Sequence, residues 1–386
     1  MNNKESKEQR SNLKWPPQTE EIKQAFSEIY SSGDWWQYTG ERVKRLEAEF
    51  AKYHDCLFGV AICNGSVAID IALKALNIKQ GDEVILPAYD FFSLPKSVLN
   101  VGATPVFADV CSDNFTIDKD EVKKKIDSKT KAIIAVHISG SVAELDALKE
   151  IAKEKNIYLI EDCAQAHGAI YDDKKAGSWG DLGIFSFGGI KLMTCGQGGM
   201  ITTSDEDLYK RCYAITNRGQ LPDGAINPYG IIGENFQLSE LQAAILLPQL
   251  SLLNTYNQKR EEAVSFLDQQ LSEIDGIQTF TQFPKTECRA FMRYSFCYRQ
   301  KRFPHMPKGK FIEMLKSEGV PALGGYTTMI TEPRFQKIFE KYQGDFPNSK
   351  LGEEEIIAIH HPFLLEEHHV LISLVQKIKT FLSKAV

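Results

Sequence analysis

Short apolar runs alternate with amphipathic segments over residues 57–199, and this alternation limits the fold more than any other feature of the sequence. The intervening segments have helical periodicity and are long enough to connect parallel strands. Repeats of this kind predict an α/β fold with a mostly parallel sheet covered by helices on both faces. The predicted strands are 57–63, 83–87, 104–110, 131–138, 157–162 and 183–187, and the predicted helices include 67–76, 118–126 and 143–155.

The character of the sequence changes after residue 205. The segment 238–271 predicts a long helix, which Pro248 would kink. The remainder mixes short strands with helices, for example a strand at 293–299 and helices at 309–319 and 369–384, and indicates a smaller α/β domain. We therefore expect a mobile N-terminal tail (1–14), a large domain that begins with a helix (15–250) and a small C-terminal domain (251–386).

Composition excludes several classes of function. The 386 residues carry a formal net charge of −6, whereas proteins that grip nucleic acid backbones normally have a basic surplus. No apolar run reaches the length of a membrane span, and the polar N-terminus lacks the apolar region of a secretory signal. With 43% hydrophobic and 25% charged residues, the chain has a globular composition. We expect a soluble, cytoplasmic protein that binds neither nucleic acid nor membrane.

Cysteine and histidine spacing gives no sign of a metal site. The eight cysteines are scattered without a CxxC pair, which favours buried thiols over disulfides or zinc ligands. The adjacent pairs His360-His361 and His368-His369 lack the spacing of zinc ligands on a helix. The prediction is that the protein holds no metal.

The first two predicted strands each end in a candidate ligand-binding motif. Asn-Gly-Ser at 64–66 precedes a helix, so Gly65 and Ser66 could present backbone N–H groups and a hydroxyl to a phosphate. An ordinary helix cap would use the same residues. Tyr89, after the second strand, could stack on a flat cofactor, although a core tyrosine has the same pattern.

Two later strands deliver groups that suit acid–base chemistry. Asp162 ends a buried strand, where a carboxylate needs a cationic partner such as a protonated pyridine nitrogen. Lys191 lies in an apolar, glycine-rich segment, and a desolvated lysine can attack a carbonyl as the neutral amine. A structural ion pair and a structural lysine are the alternatives. A phosphate cradle, a stacking ring, a strand-end Asp and a lysine together predict a pyridoxal 5′-phosphate (PLP) site.

The motifs around these residues resemble those of a known family, the fold-type I, PLP-dependent sugar aminotransferases of the DegT/StrS type. The resemblance extends from about residue 35 to residue 361. The stretches that carry it are 63–76, 82–93, 100–110, 161–169, 185–199 and 234–244. The resemblance implies a large PLP-binding domain, a smaller C-terminal domain and a homodimer with active sites at the interface.

The resemblance also implies residue roles. Lys191 would form the imine with PLP, and the aminated cofactor, pyridoxamine 5′-phosphate, would be an intermediate. Asp162 would hold the pyridine nitrogen and Gln165 would contact the phenolic oxygen. The other implied contacts are Gly65, Ser66 and Ser186 with the phosphate, Tyr89 with the ring, Asn235 with the phosphate of the neighbouring subunit, and Tyr326 and His360 with the substrate.

The sequence departs from the family pattern at Gln197, where a glutamate is usual. Lys191 is retained, whereas relatives with histidine at this position are dehydratases. The segments 33–40, 188–196 and 359–365 look most like the branch of aminocyclitol, 3-oxo-sugar and aminohydroxybenzoate synthase enzymes.

The expected function is therefore transfer of an amino group from glutamate or glutamine to a ketosugar or ketocyclitol in aminosugar biosynthesis. Two alternatives stay open at this point. One is a PLP-dependent lyase or dehydratase of the aminohydroxybenzoate synthase type, and the other is a non-catalytic regulator that binds PLP or a sugar.

Overall fold

The computed structural model describes residues 15–339 and 344–383, so the predicted tail at 1–14 lies outside the described residues. A seven-stranded sheet with the order β1-β9-β8-β5-β4-β2-β3 forms the centre of the molecule. The strands are, in chain order, β1 (Phe58–Ile62), β2 (Glu83–Pro87), β3 (Thr104–Ala108), β4 (Thr130–Val136), β5 (Tyr158–Asp162), β6 (Ile170–Tyr171), β7 (Lys174–Lys175), β8 (Leu182–Ser186), β9 (Gly199–Thr203), β10 (Ile277–Thr279), β11 (Thr286–Cys288), β12 (Arg293–Tyr298), β13 (Ala322–Gly324) and β14 (Ile356–His360).

The central sheet is mostly parallel, as predicted. Strands β3, β2, β4, β5 and β8 run parallel, and β9 pairs antiparallel with both β8 and β1. The six predicted strands are all present, with ends that differ by one or two residues. Strand β9 was not predicted, because it starts at Gly199 inside a glycine-rich segment that reads as a loop.

Helices cover both faces of the central sheet, and others pack in an apolar cluster of the C-terminal part of the chain. They are α1 (Glu20–Ser32), α2 (Arg42–Tyr53), α3 (Gly65–Ala75), α4 (Ser93–Asn100), α5 (Lys119–Lys125), α6 (Leu145–Lys155), α7 (Glu206–Thr216), α8 (Glu240–Leu271), α9 (Lys308–Ser317), α10 (Gln336–Phe339), α11 (Pro347–Glu355) and α12 (His368–Ser383). Two buried apolar clusters result, one on each face, as expected where crossover helices cover a parallel sheet.

A second, four-stranded sheet with the order β10-β12-β14-β13 lies in the C-terminal part of the chain. Its apolar cluster includes Val264 and Leu271 from the second half of α8, whereas Leu246 and Leu253 from the first half pack in the large-sheet core. The predicted domain boundary at residue 250 therefore falls inside one continuous helix. This helix contains Pro248.

A capping box at Ser239 begins α8. The Ser239 hydroxyl accepts a hydrogen bond from the Gln242 backbone N–H, and the Gln242 side chain accepts one from the Ser239 backbone. This reciprocal pair satisfies two backbone donors that a helix N-terminus otherwise leaves free. The long helix that joins the two sheets thus has a fixed starting point.

None of the helices within 15–339 and 344–383 combines the length and the hydropathy that crossing a membrane requires.

Candidate active site

A pocket lies at the carboxyl ends of the central strands, where ligands bind in open α/β sheets. Strands β4, β5 and β8 each contribute their last residue to it, and the N-terminus of α3 forms one wall. The lining residues are Gly65, Ser66, Ile69, Asp90, Phe91, Ser93, Val136, Asp162, Ala164, Gln165, Ile184, Ser186 and Lys191. Six of the predicted site residues are therefore brought together: Gly65, Ser66, Asp162, Gln165, Ser186 and Lys191.

The α3 wall has the properties of a phosphate cradle. The Asn64 side chain caps the helix by accepting a hydrogen bond from the Ser66 N–H at 2.8 Å. A Cβ atom at Gly65 would lie 2.6 Å from Cβ of Ser186, so only glycine permits this approach of the helix to β8. The helix dipole favours an anion at this position, and the Ser186 hydroxyl lies beside it.

Asp162 ends β5 with its side chain in the pocket. The residue is 6% exposed, and its Oδ1 accepts a hydrogen bond from the Ala164 N–H at 3.0 Å. Burial raises the pKa of Asp162, while that N–H and the charge of Lys191 act in the opposite direction. A buried carboxyl in this position fits a cationic ring nitrogen, which would stabilise its ionised form.

Lys191 lies in the loop that follows β8. Its backbone N–H donates to Gly188 O at 2.9 Å, which tightens the turn that presents the side chain. Burial lowers the pKa of Lys191, Arg293 lowers it further, and the carboxyls of Asp162 and Asp90 oppose the shift. The amine can therefore reach its neutral, nucleophilic form more readily than an exposed lysine can.

Gln165 connects the pocket to the C-terminal part of the chain. Its Oε1 accepts a hydrogen bond from the Ser139 N–H at 3.3 Å, and its side chain also contacts the Tyr326 hydroxyl. The Arg293 guanidinium lies over the Tyr326 ring, 4.5 Å from its centroid. Tyr326 itself does not line the pocket, so its predicted contact with substrate stays a prediction.

Tyr89 occupies a different place from the one expected for a stacking ring. It is 2% exposed and absent from the pocket lining; its hydroxyl accepts a hydrogen bond from the Tyr326 N–H at 2.9 Å. Its ring packs near Phe115 in the core. Phe91, two residues later, lines the pocket and is 45% exposed. The sequence analysis did not select Phe91, although it follows β2 as Tyr89 does.

Asn235 and His360 also lie outside the lining of the pocket. Asn235 is exposed and forms an isolated bridge with Asn217, so its predicted reach to a neighbouring subunit is not tested by a single chain. Nε2 of His360 lies 3.1 Å from Ile190 O. Because a carbonyl only accepts, this nitrogen carries the proton, and His360 supports the Lys191 loop. Its contact with substrate stays a prediction.

Two charged residues near the pocket were not predicted. Asp90 lines the pocket and is 4% exposed, and its Oδ1 has no hydrogen-bond partner in the part of the chain that the structure describes. Arg293 begins β12, and its buried Nε also has no partner in that part of the chain. The strand-end position of Asp90 was visible in the sequence, whereas the proximity of Arg293 depends on how the second sheet packs against the first.

His137, Glu161 and Cys163 form a buried group with possible metal-ligand atoms within 4.8 Å of one another. Nδ1 of His137 accepts a hydrogen bond from the Ala143 N–H, so Nε2 carries the proton that faces Glu161 at 3.3 Å. Burial raises the pKa of the Cys163 thiol well above its usual value. These ligand atoms are thus engaged or protonated, and the group fits a structural hydrogen-bond network.

Comparison with known proteins gives matches along nearly the whole chain. The sequence profile described as the DegT/DnrJ/EryC1/StrS aminotransferase family matches residues 16–376. L-glutamine:2-deoxy-scyllo-inosose aminotransferase of Streptomyces kanamyceticus is 32% identical, with coverage of 91% of this chain and 89% of that protein. GDP-perosamine synthase of Caulobacter vibrioides (strain ATCC 19089 / CIP 103742 / CB 15) is 36% identical, with coverage of 68% and 70%.

Solved structures confirm the predicted α/β transferase fold. A 3-amino-5-hydroxybenzoic acid synthase superposes with a TM-score of 0.89 at 26% identity and covers 97% of this chain and 100% of its own. An aminotransferase from Psychrobacter cryohalolentis gives 0.89 at 28% identity, with coverage of 97% and 99%. DesV of S. venezuelae, in complex with a ketimine intermediate, gives 0.82 at 27% identity and covers 94% of each chain.

Proposed function

Because this chain belongs to the DegT/DnrJ/EryC1/StrS aminotransferase family, we propose that it moves the amino group of L-glutamine to the ketone of a cyclitol, with PLP as cofactor. The family and the aminotransferase class were predicted from the motifs and are confirmed by the profile match. The choice of glutamine and a ketocyclitol rests on the curated relative that aligns with 91% of this chain. The observation that carries the proposal is that Lys191 and Asp162 share one buried pocket.

The residues of this pocket fit PLP. Gly65, Ser66 and Ser186 would hold the phosphate at the N-terminus of α3, and Asp162 would bind the ring nitrogen. The close approach at Gly65 leaves room for an anion only because no side chain is present there. When bound, PLP supplies an aldehyde that joins to amines and a ring that withdraws electrons from the adjacent carbon.

Lys191 is the proton carrier in this proposal. Its Nζ would hold the cofactor in the resting enzyme and would be a neutral amine once the donor occupies that position. The amine then removes a proton from the α-carbon of glutamine and returns it, acting first as base and then as acid. Burial favours the neutral form, because it lowers the pKa of Lys191.

Aromatic and amide side chains orient the cofactor. We assign ring stacking to Phe91, which lines the pocket, in place of Tyr89. Gln165 would donate its amide to the phenolic oxygen, since its Oε1 already accepts from Ser139. The neighbouring Tyr326 would then act by holding Gln165.

Arg293 is the residue that we assign to the carboxylate of the amino donor. It contributes positive potential at Lys191, and its buried Nε has no partner among the described residues. A guanidinium binds a carboxylate through two parallel hydrogen bonds. Arg293→Met should therefore raise KM for glutamine at least roughly tenfold, while KM for the keto acceptor changes little.

The functional unit in this proposal is a homodimer with shared sites. Phe91 and Ile190 are exposed beside the pocket, and Ile226 and Ile232 are almost fully exposed on the 219–233 segment. Apolar side chains at these positions favour coverage by a second chain. Asn235, close to that segment and outside its own pocket, would reach the phosphate of the neighbouring subunit.

Subunit mixing tests this arrangement. Lys191→Ala and Asn235→Asp should each inactivate the homodimer, the second by placing a negative charge beside the phosphate. In a mixed dimer with shared sites, one site contains both native residues, so activity returns to about a quarter of native in a 1:1 mixture of subunits. Recovery no greater than the sum of the two variants would contradict a shared site.

The central experiment separates an aminotransferase from the two alternatives. Glutamine alone should remove the absorbance band of the lysine-bound cofactor, and scyllo-inosose should restore it. Glutamine labelled with ¹⁵N at the α-amino group should give a labelled amino product and an unlabelled keto acid. An absorbance band that does not change when glutamine is added would indicate a regulator. Loss of water from the ketone without ¹⁵N transfer would indicate a lyase. A nucleotide-linked keto sugar serves as the competing acceptor.

A further inference from the structure

Asp90 is a buried acid whose carboxyl is only partly hydrogen-bonded: the Phe91 backbone N–H acts on it, and one oxygen has no partner among the described residues. It follows β2, is 4% exposed and shares the pocket with Asp162 and Lys191. Within 15–339 and 344–383 its Oδ1 has no hydrogen-bond partner, although a buried carboxyl oxygen normally has one. A carboxyl oxygen without a partner in a ligand pocket indicates that the partner arrives with the ligand or is created by the reaction.

A neighbouring strand end provides a contrast. Asp109 follows β3 and is also 4% exposed, but its carboxyl accepts hydrogen bonds from the Asn348 N–H, the Ser349 N–H and the Ser349 hydroxyl. Asp109 therefore attaches α11 to the central sheet. The two aspartates follow neighbouring strands, but the Asp109 carboxyl accepts three hydrogen bonds whereas one oxygen of Asp90 accepts none among the described residues. Of the two, Asp90 lines the pocket.

The charged groups around Asp90 come from several elements. Asp162 ends β5, Lys191 lies in the loop after β8, and Arg293 begins β12; each acts on the charge of Asp90. Burial lowers the pKa of His167 and of His360, and the positive charge of Lys191 lowers both pKa values further. Both imidazoles are therefore neutral at physiological pH, and the carboxyls that act on Lys191 are those of Asp90 and Asp162.

We propose that Asp90 is a positioning residue for Lys191, whose carboxylate stabilises positive charge on the lysine nitrogen during amino transfer. This inference rests on the proposed function. In the loaded enzyme Asp162 is neutralised by the ring nitrogen, so Asp90 is the carboxylate that stays free to balance Nζ. The proton that Nζ gains comes from the α-carbon of the donor and returns to the substrate side, while the Asp90 carboxylate keeps its negative charge throughout and balances the charge on Nζ.

In the cofactor-free protein the Asp90 carboxyl holds a proton over a wider pH range than an ordinary aspartate. Burial and the carboxylate of Asp162 together raise the pKa of Asp90 to about 8. A cation beside Asp162 removes the repulsion, and Asp90 then ionises at lower pH. When the cofactor is bound, Asp90 is therefore ionised and can form an ion pair with the protonated Lys191 amine.

The test is a pH titration of the absorbance of the lysine-bound cofactor in Asp90→Asn and in the matched control Asp109→Asn. Loss of the Asp90 charge should lower the titration midpoint by roughly one pH unit, since an opposite charge nearby favours the protonated nitrogen. The control should weaken the protein without moving the midpoint. Asp90→Asn should also lower kcat and leave KM for glutamine nearly unchanged.

A native midpoint in Asp90→Asn would overturn the proposal, because a protonated acid and an amide are equivalent neutral groups. Asp90→Glu keeps the charge and should titrate close to native, so a shift as large as that of Asp90→Asn would also contradict it. These outcomes leave the proposed function intact, whereas absence of the band in the native protein would contradict the proposed function itself.

If the Asp90→Asn variant does not bind PLP, a measurement on the cofactor-free protein still tests the proposal. The rate at which an amine-acylating reagent labels Lys191, followed by mass spectrometry, reports the neutral fraction of the amine. Above about pH 8, where Asp90 is ionised in the cofactor-free protein, Asp90→Asn should raise the labelling rate of Lys191, because the carboxylate favours the charged lysine. An unchanged rate would reject Asp90 as the partner of Lys191.

Discussion

Glu161 and Asp162, the last two residues of β5, point to opposite faces of the central sheet and differ in how fully their carboxyls are hydrogen-bonded. Glu161 is completely buried, and its carboxylate accepts hydrogen bonds from the backbone N–H groups of Gly177, Trp179 and Gly180. It also faces Nε2 of His137. Asp162 points to the opposite face, where it accepts one hydrogen bond among the described residues, from the Ala164 N–H.

This difference separates a structural acid from a functional one. A buried carboxylate whose oxygens are filled by backbone donors stabilises the loop that supplies them. A buried carboxyl with unused capacity costs stability until a ligand brings the missing partner. Asp90 and Asp162 belong to the second kind, and Glu161 and Asp109 belong to the first.

The largest expected effect is at Lys191. Lys191→Ala should lower the rate of amino transfer more than about 10³-fold, because base and acid are lost together. The matched control is Lys210→Ala, on the exposed pair with Glu206, which should retain native rates. Steady-state kinetics with glutamine measures both, and a Lys191→Ala enzyme within tenfold of native would contradict the assignment.

Substitution of Asp162 should mainly lower catalysis, whereas substitution of Glu161 should mainly lower stability. Asp162→Asn should reduce kcat on the order of 10²-fold or more with little change in the midpoint of unfolding of the empty protein. Glu161→Gln should lower the free energy of unfolding by about 3 kcal/mol, since an amide nitrogen would face backbone donors. Equal loss of stability in both variants, measured by urea unfolding, would remove the distinction.

The two aromatic residues after β2 offer a smaller test. Phe91→Ala should weaken PLP binding roughly tenfold through loss of stacking. Tyr89→Phe removes the hydrogen bond to the Tyr326 N–H and should cost about 1 kcal/mol of stability with near-native PLP affinity. Fluorescence titration of PLP checks both; native PLP affinity in Phe91→Ala would contradict the stacking role of Phe91.

The last prediction concerns pH and the stability of the cofactor-free protein. The pKa of Asp90, about 8, lies above the ordinary aspartate value near ~3.9, so the folded chain holds a proton that the unfolded chain has lost. The contribution of Asp90 to stability therefore falls as pH rises from about 4 to 8. Asp90→Asn should flatten this slope and be more stable than native at pH 8, as measured by thermal unfolding at several pH values.

The sequence was sufficient to predict the parallel sheet and the groups at its strand ends. Asp162 and Lys191 follow apolar runs, and adjacent parallel strands necessarily bring their ends together. The choice between Tyr89 and Phe91 was not predictable, because both rings follow one strand and the packing of the C-terminal part selects between them. Arg293 was missed for the same reason, since its approach to Lys191 depends on contact between the two sheets.

The departure at Gln197 acquires a structural meaning. Its Oε1 accepts a hydrogen bond from the Asn64 side chain at 2.9 Å, and Asn64 caps α3, the helix proposed to bind the phosphate. A neutral amide keeps this link without placing negative charge near the proposed phosphate position. The motif alone identified the substitution, but the contact that explains it joins residues 133 positions apart in the chain.

Reduction of the PLP-loaded protein with borohydride tests the central claim most directly. Hydride adds to the carbon–nitrogen double bond and makes the link between cofactor and lysine permanent, so peptide mass mapping locates it. We expect the pyridoxyl adduct on Lys191, and its absence from that position in Lys191→Ala. An adduct on a different lysine, or no adduct in protein that has bound PLP, would contradict the assignment of this pocket as the catalytic site.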